Sequence, residues 1–196
     1  MPQPTLLTNE EIKEKSSKTL ERINFWIGNC DTKISFSLAF AGILLGGFFS
    51  SSIITGSLSN LIEKMIAIDD FTNHWEARFI EITALILTVF VILMIISLSY
   101  LFRGIKGSIG TSIYQQSQLT TDSKLFFGTI QNQAYANFKD NMTTLTEDEL
   151  QNDYLSQIYI NSKICQKKFY LYNKGVTYLI LSTVMFIILN ILFLFI

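Results

Sequence analysis

The one histidine of the chain, His74, has Asp69, Asp70 and Glu76 close by in sequence. A base beside carboxylates, or two or three ligands for a divalent metal, is the chemistry these types offer. They fall in residues 59–78, a polar stretch between two long apolar blocks, and such a stretch has little with which to preorganise a site. A solvated acidic loop is the simpler reading. The two cysteines, Cys30 and Cys165, have no histidine in their own parts of the chain. A Cys–His nucleophile therefore lacks its base. Glu147, Asp148 and Glu149 stand together, but at the start of a helix, where they complement the dipole. Arg103, Gly104, Lys106, Gly107 and Gly110 could shape a backbone nest for an anion. A helix stop with cations at a membrane edge is the simpler account of them, and neither GxGxxG nor a Walker A spacing occurs. One histidine and two cysteines are too few for a Cys/His metal site or a disulfide framework. No metal, no cofactor and no enzymatic activity are expected.

The positioning elements come from the apolar residues, which make up 49% of the 196. They gather in three blocks: 34–58, 79–102 and 175–196. The first and third carry no charge, and the second has only Glu81, near its start. A bilayer core of about 30 Å needs about 20 helical residues, so each block is expected to span it. The rest divides into an N-terminal amphipathic helix in 1–33, a loop at 59–78 and a helical region at 103–174. The fold class is thus an all-α membrane protein with three transmembrane helices and a cytoplasmic helical module.

Lys and Arg number five in residues 1–33, two in 59–78 and eight in 103–174. The positive-inside rule then places 1–33 and 103–174 in the cytoplasm and the C-terminus on the far side of the membrane. Both cysteines fall on the reducing side as free thiols. No cleaved signal peptide is expected, because the first apolar block begins only at Ile34. With 15 basic and 16 acidic residues, no bulk attraction to nucleic acid follows.

Thr8 with Glu11, and Thr146 with Glu149, have capping-box spacing. Leu20, Ile23, Ile27, Cys30 and Ile34 recur at helical intervals, so the first helix is expected to run unbroken into the first span. Asp122 or Ser123 is expected to cap a helix carrying Phe127, Ile130, Ala134, Phe138 and Met142 on one face. Leu150, Tyr154, Ile158, Cys165 and Phe169 trace a further stripe, leading to a single helix from Glu147 to Ile196. Within the first span Ser35, Ala39, Gly42, Gly46 and Ser50 form a stripe of small residues, the pattern that lets helices approach closely in lipid. Packing within a subunit and packing between subunits both fit that stripe. Asn190, inside the third span, is expected to seek a partner across a helix interface.

Several pieces together carry a family resemblance: Asp31-Thr-Lys33 at the foot of the first span, Leu125-Phe-Phe-Gly-Thr-Ile130, Tyr135 with Phe138, Asp153-Tyr-Leu-Ser-Gln-Ile-Tyr159, Asn161-Ser-Lys-Ile164 and Lys167-Lys-Phe169. Their order and placement resemble the Pycsar transmembrane effectors over residues 20–190. More distantly they resemble the two-span effectors that accompany bacterial nucleotide-cyclase and nucleotidyltransferase defence genes. Ile34 and Ser35 depart from the small residue and alanine common after the lysine at the foot of the span.

The resemblance implies an anti-phage effector of the bacterial inner membrane, with its C-terminus periplasmic. A partner cyclase makes cyclic CMP or cyclic UMP, and the effector senses it and impairs the membrane, aborting infection. A homo-oligomer in the bilayer is expected. A cyclic nucleotide monoanion needs a cation for its phosphate and an aromatic face for its base. Lys124, Lys163, Lys167 and Lys168 with Phe127, Tyr154 and Tyr159 form the available pool. Asp31 and Lys33 are the residues expected to couple at the membrane foot. A constitutive anchor for a cytoplasmic protein partner, or a small channel without nucleotide control, are the competing readings.

Overall fold

A computed structural model describes residues 8–66, 74–106 and 116–196, apart from the side chain of Ile53. Asp69 and Asp70 beside His74, and the glycines Gly107 and Gly110 of the nest, lie outside them. The described residues form helices α1 (Asn9–Ser50), α2 (Ser52–Ile66), α3 (His74–Ile105), α4 (Phe127–Ile130), α5 (Tyr135–Thr143) and α6 (Glu147–Phe193). Helices α1, α3 and α6 are each long and apolar enough to cross a membrane. The chain is an all-α protein with three membrane-spanning helices.

Both capping boxes form. The Thr8 amide donates to Glu11 Oε2 at 2.9 Å and the Glu11 amide returns to Thr8 Oγ1 at 3.4 Å. The Thr146 amide donates to Glu149 Oε2 at 2.9 Å, and the Glu149 amide to Thr146 Oγ1 at 3.3 Å. Each carboxylate occupies orphan donors that a helix start leaves open. As expected, α1 runs without interruption from the polar N-terminal stretch into the first apolar block. Helix α6 does the same for the third, stopping at Phe193.

Three expected elements differ. The block 34–58 is not one helix, because α1 ends at Ser50 and α2 begins at Ser52. Ser51 is the cause: its Oγ accepts the Ile54 amide at 3.3 Å, the bond of an N-cap serine. Helix α2 then continues to Ile66 and α3 starts at His74, so much of the expected loop 59–78 is helical. The single helix expected from Asp122 or Ser123 is also two pieces, α4 and α5. Ser123 Oγ instead accepts the amides of Leu125 (3.1 Å) and Phe126 (3.0 Å), which holds a turn ahead of α4.

The chain divides into two compact units. The polar unit comprises Met1–Cys30 and Gly107–Lys168. Its buried side chains include Ser16, Cys30, Ser123, Asp153, Ser156, Gln157 and Ile160. Asn161 Nδ2 donates to Asn24 Oδ1 at 2.9 Å, joining α6 to α1 inside this unit. Helix α5 has no buried residue.

The apolar unit comprises Asp31–Lys106 and Phe169–Ile196. The rings of Phe48, Phe90 and Phe186 meet from α1, α3 and α6, with centroids 5.5 to 6.2 Å apart. Tyr100 and Tyr178 stack at 5.8 Å and 8°. Hydroxyls on these helices mostly donate to the carbonyl four residues back, as Ser35 does to Asp31, Ser37 to Lys33, Thr83 to Phe79 and Thr183 to Leu179. In lipid this satisfies a polar group without a partner on another helix.

Candidate ligand-binding region and helix interfaces

The first turns of α6 place Asp153, Ser156, Gln157 and Ile160 at intervals of three, one and three, which is one helical face. That face is buried, with Asp153 only 1% exposed. The stripe expected there, Leu150, Tyr154 and Ile158, is half-buried instead. Polar groups replace it because they bind backbone. Asp153 Oδ2 accepts the amides of Lys124 (2.7 Å) and Leu125 (3.2 Å), and Ser156 Oγ accepts that of Thr120 (3.0 Å). Residues 120–126 carry no helix and are tied to α6 through these amides. Just before them, the Leu119 amide donates to the Gln116 carbonyl, and Gln118 has φ +74°. Asp153 Oδ1 is buried and has no hydrogen-bond partner among the described residues.

The expected ligand pool divides along α6. Lys124 is held over the Asp153 turn by its own backbone, and its ammonium pairs with Asp122. Tyr154 follows Asp153 directly. Tyr159 and Lys163 are one turn apart, with Lys163 Nζ 5.4 Å from the Tyr159 ring centroid. Phe127 projects outward, 72% exposed. Lys167 is exposed and Lys168 is buried and engaged. These last two lie about 21 Å along the helix from Asp153 at 1.5 Å per residue, too far to share one mononucleotide with Lys124. Asp153 and Ser156, named above only within a motif, are the residues whose role pattern reading missed. The signal available was polar types at helical spacing in 153–157.

Two carboxyls at helix starts sit below their usual range. The Thr146 amide and hydroxyl, with a contribution from Lys124, lower that of Glu149, and the Thr8 amide and hydroxyl lower that of Glu11. Burial pushes the Cys165 thiol up, which keeps it protonated and a poor nucleophile. Among the described residues no group of three His, Cys, Asp or Glu could hold a metal ion.

In the apolar unit, α3 and α6 approach closely at Gly175. A Cβ there would stand 2.7 Å from Leu101 Cγ and Cδ2 and 3.3 Å from its backbone nitrogen. Ser97 Oγ donates to the Gly175 carbonyl at 2.8 Å beside this contact. A Cβ on Gly104 would come to 3.0 Å from Ile34 Cδ1. The small-residue stripe takes no part: Ser35, Ala39, Gly42, Gly46 and Ser50 are all exposed, and a Cβ on Gly42 or Gly46 meets nothing within 4 Å. Asn190 departs from expectation, since its Nδ2 donates to the Phe186 carbonyl in its own helix at 2.7 Å. That local acceptor lies within reach of any helical asparagine and takes one of its donors. At the foot, Lys33 Nζ lies 5.8 Å from the Phe169 ring centroid, and Asp31 is half-buried and engaged. Lys33, Phe36, Phe40, Tyr172 and Leu179 line an open groove of about 340 Å³.

The family model described as Pycsar effector protein domain, PycTM, matches residues 15–196. A curated protein of Gulbenkiania mobilis, the Pycsar effector protein GmPycTM, is 60% identical over 195 residues, covering 100% of both chains. No solved structure matches the chain.

Proposed function

The chain belongs to the PycTM family of Pycsar effector proteins, transmembrane proteins of anti-phage defence, and we propose that it senses a cyclic pyrimidine nucleotide, cyclic CMP or cyclic UMP, and in response impairs the bacterial inner membrane. The observation that carries this reading is α6 itself. One uninterrupted helix, Glu147–Phe193, bears the buried Asp153 face near its start and the Gly175 contact in its apolar part. A ligand that favours one packing of the Asp153 region changes the free energy of that helix, and the membrane end can respond.

In this reading the polar unit faces the cytoplasm, following the Lys/Arg asymmetry of five and eight against two. The C-terminus faces the periplasm. The protein is not an enzyme: its role is to bind and to change packing. Ser35, Ala39, Gly42, Gly46 and Ser50 meet the same stripe of another copy, which is consistent with their exposure in the single chain. Asp31 and Lys33 couple the two parts of α1 at the membrane foot.

The test is made in cells that express the chain with a pyrimidine cyclase under separate control, with a potential-sensitive dye as readout. Cyclase induction should depolarise the membrane only when the chain is present, and a catalytically dead cyclase should not. Depolarisation that is independent of cyclase activity would overturn nucleotide control.

A further inference from the structure

A buried carboxylate normally fills both oxygens, because an unpaired acceptor away from water is costly. Asp153 fills one. Oδ2 takes two backbone amides, while Oδ1, equally shielded, has no partner among the described residues. Beside it lies a cation whose counter-ion is dispensable. Lys124 reaches Asp153 through its backbone amide, and its half-buried side chain pairs with Asp122, which is largely exposed. Asp122 keeps most of its access to water, so it can return to solvent when a better anion reaches Lys124. The span that covers Asp153, residues 120–126, is non-helical and bound to α6 by amides donated to two side chains, so it can shift without unfolding a helix.

An acceptor with no donor and a cation that can change partner, on two residues joined by the Lys124 amide bound to Asp153 Oδ2, match two adjacent groups of a 3′,5′-cyclic ribonucleotide. The ribose 2′-hydroxyl donates, and the phosphate on the neighbouring carbon carries the negative charge. Cyclic CMP and cyclic UMP differ in the donors of their bases, but both have this hydroxyl. The phosphate is repelled from the Asp153 carboxylate, which fixes the order of the two contacts. Resting on the nucleotide-sensing reading above, we propose that Asp153 Oδ1 accepts the ribose 2′-hydroxyl of the cyclic nucleotide while Lys124 leaves Asp122 to bind the phosphate.

The full chain in nanodiscs, titrated with cyclic CMP, cyclic UMP and their 2′-deoxy forms, tests this. Asp153→Asn keeps an oxygen for the Lys124 and Leu125 amides but turns the second acceptor into a donor. Exchanging a charge-assisted acceptor for a neutral N–H that can only donate to the hydroxyl should weaken binding by about tenfold. The wild type should lose that factor with the 2′-deoxy nucleotide, and Asp153→Asn should lose it with the ribonucleotide. The two losses should not add, because they remove the same bond. Lys124→Gln should weaken ribo and deoxy forms alike. The proposal is overturned if the wild type binds deoxy and ribo forms equally. It is also overturned if Asp153→Asn, with an unchanged melting temperature, binds the ribonucleotide as the wild type does. If Asp153→Asn melts early, the deoxy comparison on the wild type decides alone. A wild type that binds neither ribonucleotide overturns the sensing reading itself, and this assignment with it.

Discussion

Ser97 Oγ and the Gly175 carbonyl oxygen are 2.8 Å apart in the buried contact between α3 and α6. Residue 175 has no side chain, and the Leu101 side chain, with its backbone nitrogen just beyond, occupies the space a Cβ needs. Gly175→Ala should therefore destabilise the protein by about 1–3 kcal/mol, the usual cost of overpacking a tight interface. Ser97→Ala should cost about 0.6 kcal/mol, as hydrogen bonds between membrane helices do on average. Reversible unfolding in detergent measures both, and equal values for the two variants would contradict the steric argument.

Gly46 offers the opposite case. It is exposed and a Cβ there meets nothing within 4 Å, so Gly46→Leu should leave the stability of the single chain within about 0.5 kcal/mol. If the stripe joins copies, the same variant should lower the oligomer fraction in cross-linking and reduce toxicity, with Gly46→Ala milder. Unchanged oligomer size and toxicity would mean that the stripe faces lipid.

Ser162 lies in α6 between Asp153 and Gly175, and its Oγ donates to the Ile158 carbonyl at 2.7 Å. Ser162→Pro removes a backbone donor and kinks the helix. The variant should insert and bind nucleotide, yet fail to depolarise the membrane when nucleotide is added. Retained depolarisation would route the signal elsewhere, through α1 and the Asp31/Lys33 foot.

The start of α6 should depend on pH. The Thr146 amide and hydroxyl lower the Glu149 carboxyl below its ordinary value of 4.5. A carboxyl lowered in the folded state adds stability that is complete above the unfolded value and is lost as pH falls through the folded one. Amides 147–150 should thus lose protection as pH falls below 4.5 and on through the lowered value in the folded state. Thr146→Ala should exchange fast at neutral pH and show little further change on acidification, in hydrogen exchange referenced to an unstructured peptide.

The three long helices and both capping boxes were legible in the sequence, because each follows from a local rule: an apolar run of spanning length, or Thr and Glu three apart. The membership of the PycTM family was legible too, in the order of motifs from Asp31 to Phe169. The Ser51 interruption was not, since a serine inside an uncharged run is helix-compatible until its oxygen takes an amide. The Asp153 face escaped because periodicity counting assigns polar residues to solvent, whereas here they serve the backbone of 120–126. Gly175 escaped for a related reason: a glycine in a span looks tolerated, and only the position of Leu101 makes it required. Asn190 looked like a cross-helix contact by type alone, but its own helix supplied the acceptor.

The most direct measurement uses purified chain in liposomes that hold a potassium diffusion potential, followed with a potential-sensitive dye. Cyclic CMP or cyclic UMP added to the face that carries the polar unit should collapse the potential. Cyclic AMP and cyclic GMP should leave it intact, as should the pyrimidine nucleotides without protein. A potential that survives both cyclic pyrimidine nucleotides, or one that collapses before any nucleotide is added, would contradict the account.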